Sequence, residues 1–183
     1  RLEEGGDRHP EGDRKLADMR AGDARIRSLT EGVGVVLPDL TFERRLSLHL
    51  GSHQLELMHF GQGHTPGDAI VYLPEEKILF AGDLVMNGYN PQVRDGNPYN
   101  WMDFLDEMEQ MPIAAIVPGH GFVARKDGIG RLKAYFLALH REVEMMVKNG
   151  KTFEEIQKEM VLPDYQGWGK VEFLPDTIKI MYA

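Results

Sequence analysis

Residues 61–85 read GQGHTPGDAIVYLPEEKILFAGDLV, and this stretch decides the fold. Two short apolar runs, AIVYL and KILFA, are separated by a Pro-Glu-Glu turn, a pattern that predicts two neighbouring β-strands. His64 precedes the first run in a glycine-rich turn, and Asp83 follows the second run directly after an Ala-Gly pair. Glycine permits sharp turns and the close approach of other groups. The stretch therefore predicts a histidine and an aspartate at the ends of adjacent strands.

Residues 114–121 carry a similar arrangement. The apolar run AAIV predicts a buried strand, and it ends in PGHG, which places His120 between two glycines. Each residue alone also has an ordinary explanation, since His64 and His120 could be turn histidines and Asp83 could cap a turn. All three stand where a strand runs out into a glycine turn, so together they favour a functional cluster at one edge of a sheet.

The remaining periodicity predicts the elements around this cluster. Apolar spacings of three and four residues predict helices at 14–29, 101–111, 129–147 and 152–160, with Asn100 and Thr152 as N-caps. Alternating apolar residues at 45–50 and 54–60 predict a hairpin around a Gly-Ser turn. A polar loop is expected at 86–100, a polar arm at 1–13 and an irregular aromatic tail at 163–183. Strands between residues 33 and 117, with helices before and after, indicate a layered α/β fold.

Composition restricts the classes of function. The chain has 183 residues, 42% hydrophobic and 27% charged, as expected for one soluble globular domain. A formal net charge of −8 disfavours nucleic acid as the main partner, because phosphate binding needs clustered Lys and Arg. No apolar run approaches the roughly 20 residues of a membrane span, and no signal peptide is evident, so the compartment stays open. With no cysteine, a transition-metal site must use histidine and carboxylate ligands.

The ordered series GHTPGD, FAGD and PGHG resembles the third, fourth and fifth metal-binding motifs of the metallo-β-lactamase superfamily. The intervening strand sequences and the spacing of the motifs also resemble that family, and the resemblance extends over nearly the whole chain. It implies the αββα sandwich fold. It also implies a zinc-dependent hydrolase that acts on a small carbonyl or ester substrate.

The resemblance assigns a role to each of the three motif residues. His64 would complete a first zinc site, Asp83 would bridge two zinc ions, and His120 would belong to the second site. Neutral imidazoles and carboxylates are ligands that zinc accepts, at about 2.0–2.2 Å. The physical chemistry of these residue types therefore agrees with the roles.

Three aromatic residues, Tyr89, Tyr99 and Trp101, lie in or beside the polar loop between the second and third motifs. In this fold such loops border the mouth of the active site, so these residues are candidate substrate contacts. The alternative is that they seal the core beneath the loop.

One motif of the family, His-x-His-x-Asp-His, is absent. The only histidine upstream of His49 is His9, in DRHP, which does not match. We therefore expect a single domain that lacks the N-terminal strands and first metal motif, divided into an arm and helix (1–32), a strand-rich part (33–125) and C-terminal helices with a tail (126–183). With ligands missing, we expect weak or single zinc occupancy and little hydrolysis by this truncated chain alone.

Two alternatives stay open at the level of sequence. A non-catalytic half-domain could act as a binding or assembly module through an uncovered apolar face. An N-terminal fragment on another chain, or a second copy in a homo-oligomer, could instead complete the site. A small-molecule substrate is the expected partner of the enzyme, and neither nucleic acid nor a membrane is expected.

Overall fold

The computed structural model describes residues 10–182, so His9 and most of the predicted polar arm lie outside the described residues. The chain divides between Phe42 and Glu43 into two compact units. In the first unit, the helix predicted at 14–29 is two helices, α1 (Pro10–Gly22) and α2 (Ala24–Leu29). The break falls at Asp23, whose side chain accepts backbone hydrogen bonds at the start of α2. An aspartate that caps a helix N-terminus begins a new helix. The apolar spacing continues across Asp23, so it did not indicate this break.

The second unit is built on a five-stranded sheet, with strands in the order β1-β2-β3-β4-β5. The strands are β1 (Arg45–Leu50), β2 (His53–Met58), β3 (Ile70–Leu73), β4 (Ile78–Met86) and β5 (Ala115–His120). The first four pair antiparallel, and β4 pairs with β5 in parallel. The α/β prediction is confirmed, as are the hairpin of β1 and β2 and the position of β3. Strand β5 continues through Pro118 and Gly119 to His120, past the predicted end at Val117.

Strand β4 is longer than the sequence indicates. Residues 77–81 are predicted as the strand and Asp83 as a residue after its end, but β4 continues to Met86. Pairing with β5 is irregular on both sides of Gly82, which has φ of 53°. A bulge of this kind at a left-handed glycine turns the next side chain to a new direction. Asp83 is therefore presented by a distortion within a strand, and not by a loop.

Helices cover the sheet and close the unit. They are α3 (Pro98–Gln110), α4 (Asp127–Lys148), α5 (Phe153–Glu159) and α6 (Leu174–Tyr182). Thr152 is confirmed as the N-cap of α5, where it forms a capping box with Glu155. Helix α3 begins earlier than predicted, because Asn97 and not Asn100 is its N-cap. Helix α6 corrects the prediction of an irregular tail, although two short 3₁₀ turns do precede it.

The core lies where α3 and α4 pack with the sheet. Its fully buried side chains include Trp101, Leu105 and Met108 of α3 and Leu132, Tyr135, Phe136 and Leu139 of α4. Helix α4 also contacts α6 and β4. This packing fixes the helix that follows the 87–97 loop, and with it the surroundings of His64. In residues 10–182 no helix has the length and apolar character needed to cross a membrane.

Candidate metal centre

Asp83 lies between the two motif histidines. Its Oδ2 is 3.3 Å from Nε2 of His64, and its Oδ1 is 3.5 Å from Nε2 of His120. The histidine that precedes β3 and the one that ends β5 thus approach different oxygens of one carboxylate. The structure brings together the three residues that the sequence motifs single out.

The two nitrogen-to-oxygen distances resemble the spacing of metal ligands. Both exceed the usual 2.7–3.2 Å range of an N–H···O hydrogen bond. Two ligand atoms that share one tetrahedral zinc ion at 2.0–2.2 Å lie about 3.3–3.6 Å apart. Each imidazole nitrogen therefore stands at a distance from its carboxylate oxygen that a shared ion requires.

His64 is held in the tautomer that a metal needs. Its Nδ1 lies 2.7 Å from the carbonyl oxygen of Gln92. A carbonyl can only accept, so Nδ1 carries a proton and donates it, and in the neutral ring the lone pair is then on Nε2, the nitrogen nearest to Asp83. A metal-binding histidine commonly donates its other ring N–H to a backbone carbonyl in this way.

The loop that carries His64 is braced from within and from beneath. The carboxylate of Asp68 accepts hydrogen bonds from the backbone N–H of Thr65 at 2.9 Å and from its hydroxyl at 2.7 Å. Below the loop, the Trp101 ring meets the His64 ring edge-on, with centroids 5.8 Å apart. The His64 side chain is 16% exposed, so it is packed on one side and open on the other.

The loop that carries His120 is clamped by Asn87. The backbone N–H of Asn87 donates to the His120 carbonyl at 2.9 Å, and its side-chain amide donates to the Phe122 carbonyl at 2.9 Å. Arg131 on α4 donates in turn to the Asn87 side-chain oxygen at 3.1 Å. Three hydrogen bonds thus connect α4 to the His120 turn and fix its backbone.

Gly119 makes room for the Asp83 carboxylate. A Cβ atom at position 119 would lie 1.9 Å from Oδ1 of Asp83 and 2.8 Å from its backbone nitrogen. Neither atom can coexist with a methyl group at these distances, so the glycine of PGHG allows β4 and β5 to approach here.

We expect Gly119→Ala to displace the Asp83 carboxylate and to weaken zinc binding at least tenfold, because a ligand loses its position. Competition with a chromophoric chelator measures the dissociation constant. Gly67→Ala is the matched control, since a Cβ at Gly67 meets no atom within 4 Å and its backbone is not left-handed. Equal zinc affinity in the two variants would show that Asp83 does not need this space.

The donor set fits zinc in chemistry and falls short in number. Within the described part of the chain, no three His, Asp or Glu side chains are arranged to hold one ion. The contacts are pairwise around Asp83, as expected for a carboxylate that bridges two ions and is joined by one imidazole at each. A pair of these residues would supply at most two ligands to an ion, and a closed zinc site has four.

The three aromatic candidates for substrate contact occupy different places. Trp101 is fully buried and its indole N–H donates to the Leu84 carbonyl at 3.0 Å, which places it in the core beneath the loop. Tyr99 is 41% exposed, and its ring packs edge-on against His140 at 5.5 Å. Tyr89 has its ring centroid 6.0 Å from that of His120 and is partly exposed, whereas Trp101 meets His64 from within the core.

Comparison with known proteins adds a family to this geometry. The family model of the metallo-beta-lactamase superfamily matches residues 3–120. A metallo-beta-lactamase type 2 from Bacteroides fragilis is 30% identical over 98 residues, which are 51% of this chain and 39% of that protein. The acyl-coenzyme A thioesterase MBLAC2 from Bos taurus is 27% identical over 128 residues, 66% of this chain and 44% of that protein. The chain thus spans less than half the length of these two relatives.

A solved structure supports the same fold. The stereoselective inverting sec-alkylsulfatase from Pseudomonas sp. superposes with a TM-score of 0.64 over 81% of this chain and 26% of that chain. Sequence identity in that match is 17%, so it concerns the fold alone. Because the family model covers more than half of the residues, the chain belongs to the metallo-beta-lactamase superfamily.

Proposed function

We propose that the chain is a zinc-dependent hydrolase, or carries part of the metal site of one, that acts on a small carbonyl or ester compound. The observation that carries the proposal is the Asp83 carboxylate set between the Nε2 atoms of His64 and His120. Members of the superfamily are typically zinc-dependent, and the relative from Bos taurus is named a thioesterase.

Each residue of the centre has a separable task in this proposal. Asp83 and His64 would hold a first ion, and Asp83 and His120 would hold a second. When bound, zinc supplies an activated water at neutral pH and polarises the oxygen of a carbonyl or ester. The Gln92 carbonyl keeps the proton on Nδ1 of His64, and the Asn87 clamp keeps His120 beside the carboxylate.

Exposure of the centre suits a small substrate. The Asp83 side chain is 34% exposed and the His120 side chain 51% exposed, so the side of the carboxylate near His120 faces solvent. The half-buried ring of Tyr89 borders His120 on this side. A substrate would approach across Tyr89, which we propose as a substrate contact.

Zinc content of single histidine variants tests the assignment. We expect His64→Ala and His120→Ala each to bind less zinc than the unaltered chain, with affinity lower by more than tenfold, because each loses one ligand of one ion. Inductively coupled plasma mass spectrometry after gel filtration measures the content, and chelator competition measures the affinity. His49→Ala is the control, since His49 is exposed on β1.

Two outcomes would contradict the proposal. Zinc content unchanged by either histidine variant would place the metal elsewhere. The second outcome is that the unaltered chain binds no zinc at micromolar free metal and hydrolyses neither p-nitrophenyl acetate nor a thioester above background. This result would favour the alternative that the chain is a non-catalytic binding module.

A further inference from the structure

A cavity of about 220 Å³ lies at the C-terminal side of the second unit. Its walls come from residues 160–174 and from one residue of the 87–97 loop, Asn90. Apolar and aromatic side chains line most of it, namely Met160, Leu162, Tyr165, Trp168, Val171 and Leu174. No role in the metal centre accounts for this space.

The aromatic wall of the cavity is held rigidly. Trp168 stacks on Tyr135 with centroids 5.1 Å apart and planes 13° apart, and it meets Tyr165 edge-on at 4.9 Å. Tyr135 is fully buried on α4, so the stack is anchored to the core. Rings fixed in this way form a preformed surface, and a ligand does not have to order them on binding.

Two polar residues, Asn90 and Gln166, lie in the wall, and Asn90 already has protein partners. The Asn90 side chain donates to the Gly169 carbonyl at 2.9 Å and accepts from the Tyr135 hydroxyl at 2.9 Å. Burial raises the pKa of Tyr135, so its hydroxyl keeps the proton that it donates. No lining residue carries a charge and most are apolar or aromatic, so the cavity suits an uncharged, largely apolar group.

Tyr89 connects this cavity with the metal centre. It precedes Asn90 in the chain, and its ring neighbours His120. The ring also lies close to Gly169, where a Cβ would come within 2.8 Å of it, and the backbones of the two residues form a β-bridge. Tyr89 is thus a neighbour both of His120 and of Gly169, the residue that follows Trp168 of the aromatic wall.

We infer that this cavity binds a linear apolar chain of the substrate, such as the acyl chain of an ester or thioester. A water's share of liquid volume is about 30 Å³, so 220 Å³ accommodates roughly seven heavy atoms. That this ligand is part of the substrate rests on the proposed function. Occupancy of the cavity by an apolar chain is independent of zinc.

Tryptophan fluorescence reports on the cavity directly. The chain has two tryptophans, Trp101 fully buried beneath His64 and Trp168 in the cavity wall. Titration of the full chain with 1-butanol, 1-hexanol and 1-octanol is expected to give a saturable change that Trp168→Phe abolishes and Trp101→Phe retains. Each added methylene is expected to tighten binding about fourfold until the cavity is full at roughly seven heavy atoms.

A charge in the wall is the decisive variant. Val171 lines the cavity and is 65% exposed, so Val171→Asp leaves the core intact. We expect it to weaken 1-hexanol binding at least tenfold, whereas Val36→Asp, at an exposed position of the first unit, leaves binding unchanged. In the zinc-loaded chain, Val171→Asp is expected to raise KM for p-nitrophenyl hexanoate and to leave kcat, and the KM for p-nitrophenyl acetate, unaltered.

The outcomes separate this inference from the proposed function. Three results would overturn the cavity as an apolar subsite, independently of zinc binding. They are a fluorescence change that does not saturate, an affinity that does not depend on the chain length of the alcohol, and equal affinity of Val171→Asp and the unaltered chain. Chain-length-dependent binding in a chain that holds no zinc would support the cavity and overturn the proposed hydrolase. Equal kcat/KM values for the acetate and hexanoate esters would overturn the link between the cavity and the metal centre.

Discussion

Asp83→Ala is expected to abolish zinc binding at the centre, a larger effect than either histidine variant produces. Both histidines approach this one carboxylate, at 3.3 and 3.5 Å, so its removal would take a ligand from both of the proposed ions at once. Loss of a residue that only hydrogen-bonds a metal ligand typically costs about 10–100-fold in metal affinity, and we expect loss of a shared ligand to exceed that range. Zinc content by mass spectrometry and hydrolysis of p-nitrophenyl esters are the measurements.

Two further substitutions make the Asp83 result specific. Asp83→Asn keeps the shape of the side chain and removes its charge, and we expect it to lose zinc as well, because a neutral amide is a poor zinc ligand. Asp127→Ala is the control, since that aspartate is exposed and pairs only loosely with Arg131, at 3.8 Å. Retention of half of the zinc by Asp83→Ala would mean that the carboxylate serves one ion and does not bridge.

Trp101→Ala is expected to give the largest loss of stability, about 3–5 kcal/mol in the free energy of unfolding. The side chain is fully buried, its ring packs on Phe136 at 5.2 Å, and its N–H satisfies the Leu84 carbonyl. Truncation leaves a cavity and an unpaired buried carbonyl, and both destabilise the folded state. Urea unfolding followed by circular dichroism measures the effect.

The neighbouring Tyr99 provides the comparison for Trp101. Tyr99→Ala removes an aromatic ring of similar size from the same turn of α3, but this ring is 41% exposed, so we expect a loss below about 1 kcal/mol. Trp101→Phe is expected to fall between the two. Equal stability of Trp101→Ala and Tyr99→Ala would mean that α3 is not anchored through the indole.

The sequence was sufficient to predict the cluster of motif residues, because that cluster depends on local patterns. A glycine-rich loop carries His64 between β2 and β3, the glycine motif PGHG places His120 at the end of β5, and the sheet brings both beside Asp83. The bulge at Gly82 was not predictable in the same way. Apolar residues lie both before Asp83, at 78–81, and after it, at 84–86. Only the pairing with β5 shows that they belong to one continuous strand.

Supporting contacts were missed where they depend on distant parts of the chain. The Gln92 carbonyl that orients His64 is a backbone atom in a polar loop, and no side-chain pattern marks it. Asn87 and Arg131 become partners only when α4 lies beside the end of β4. The predicted start of α3 was wrong for a local reason, since Asn97 and Asn100 are both good N-cap residues. Pro98 directly after Asn97 favours Asn97, because proline is common at the first position of a helix.

The parallel pairing of β4 with β5 has a consequence for the order of folding. Strands β4 and β5 are joined through α3, so their pairing closes a long loop. The chain loses the entropy of closing this loop before the contacts between the two strands can stabilise it. The hairpin of β1 and β2 needs no such closure and can form early. We therefore expect Asp83 and His120 to meet late on the folding pathway, after the transition state. An ion held between them would slow the unfolding of the chain and leave its rate of folding nearly unchanged.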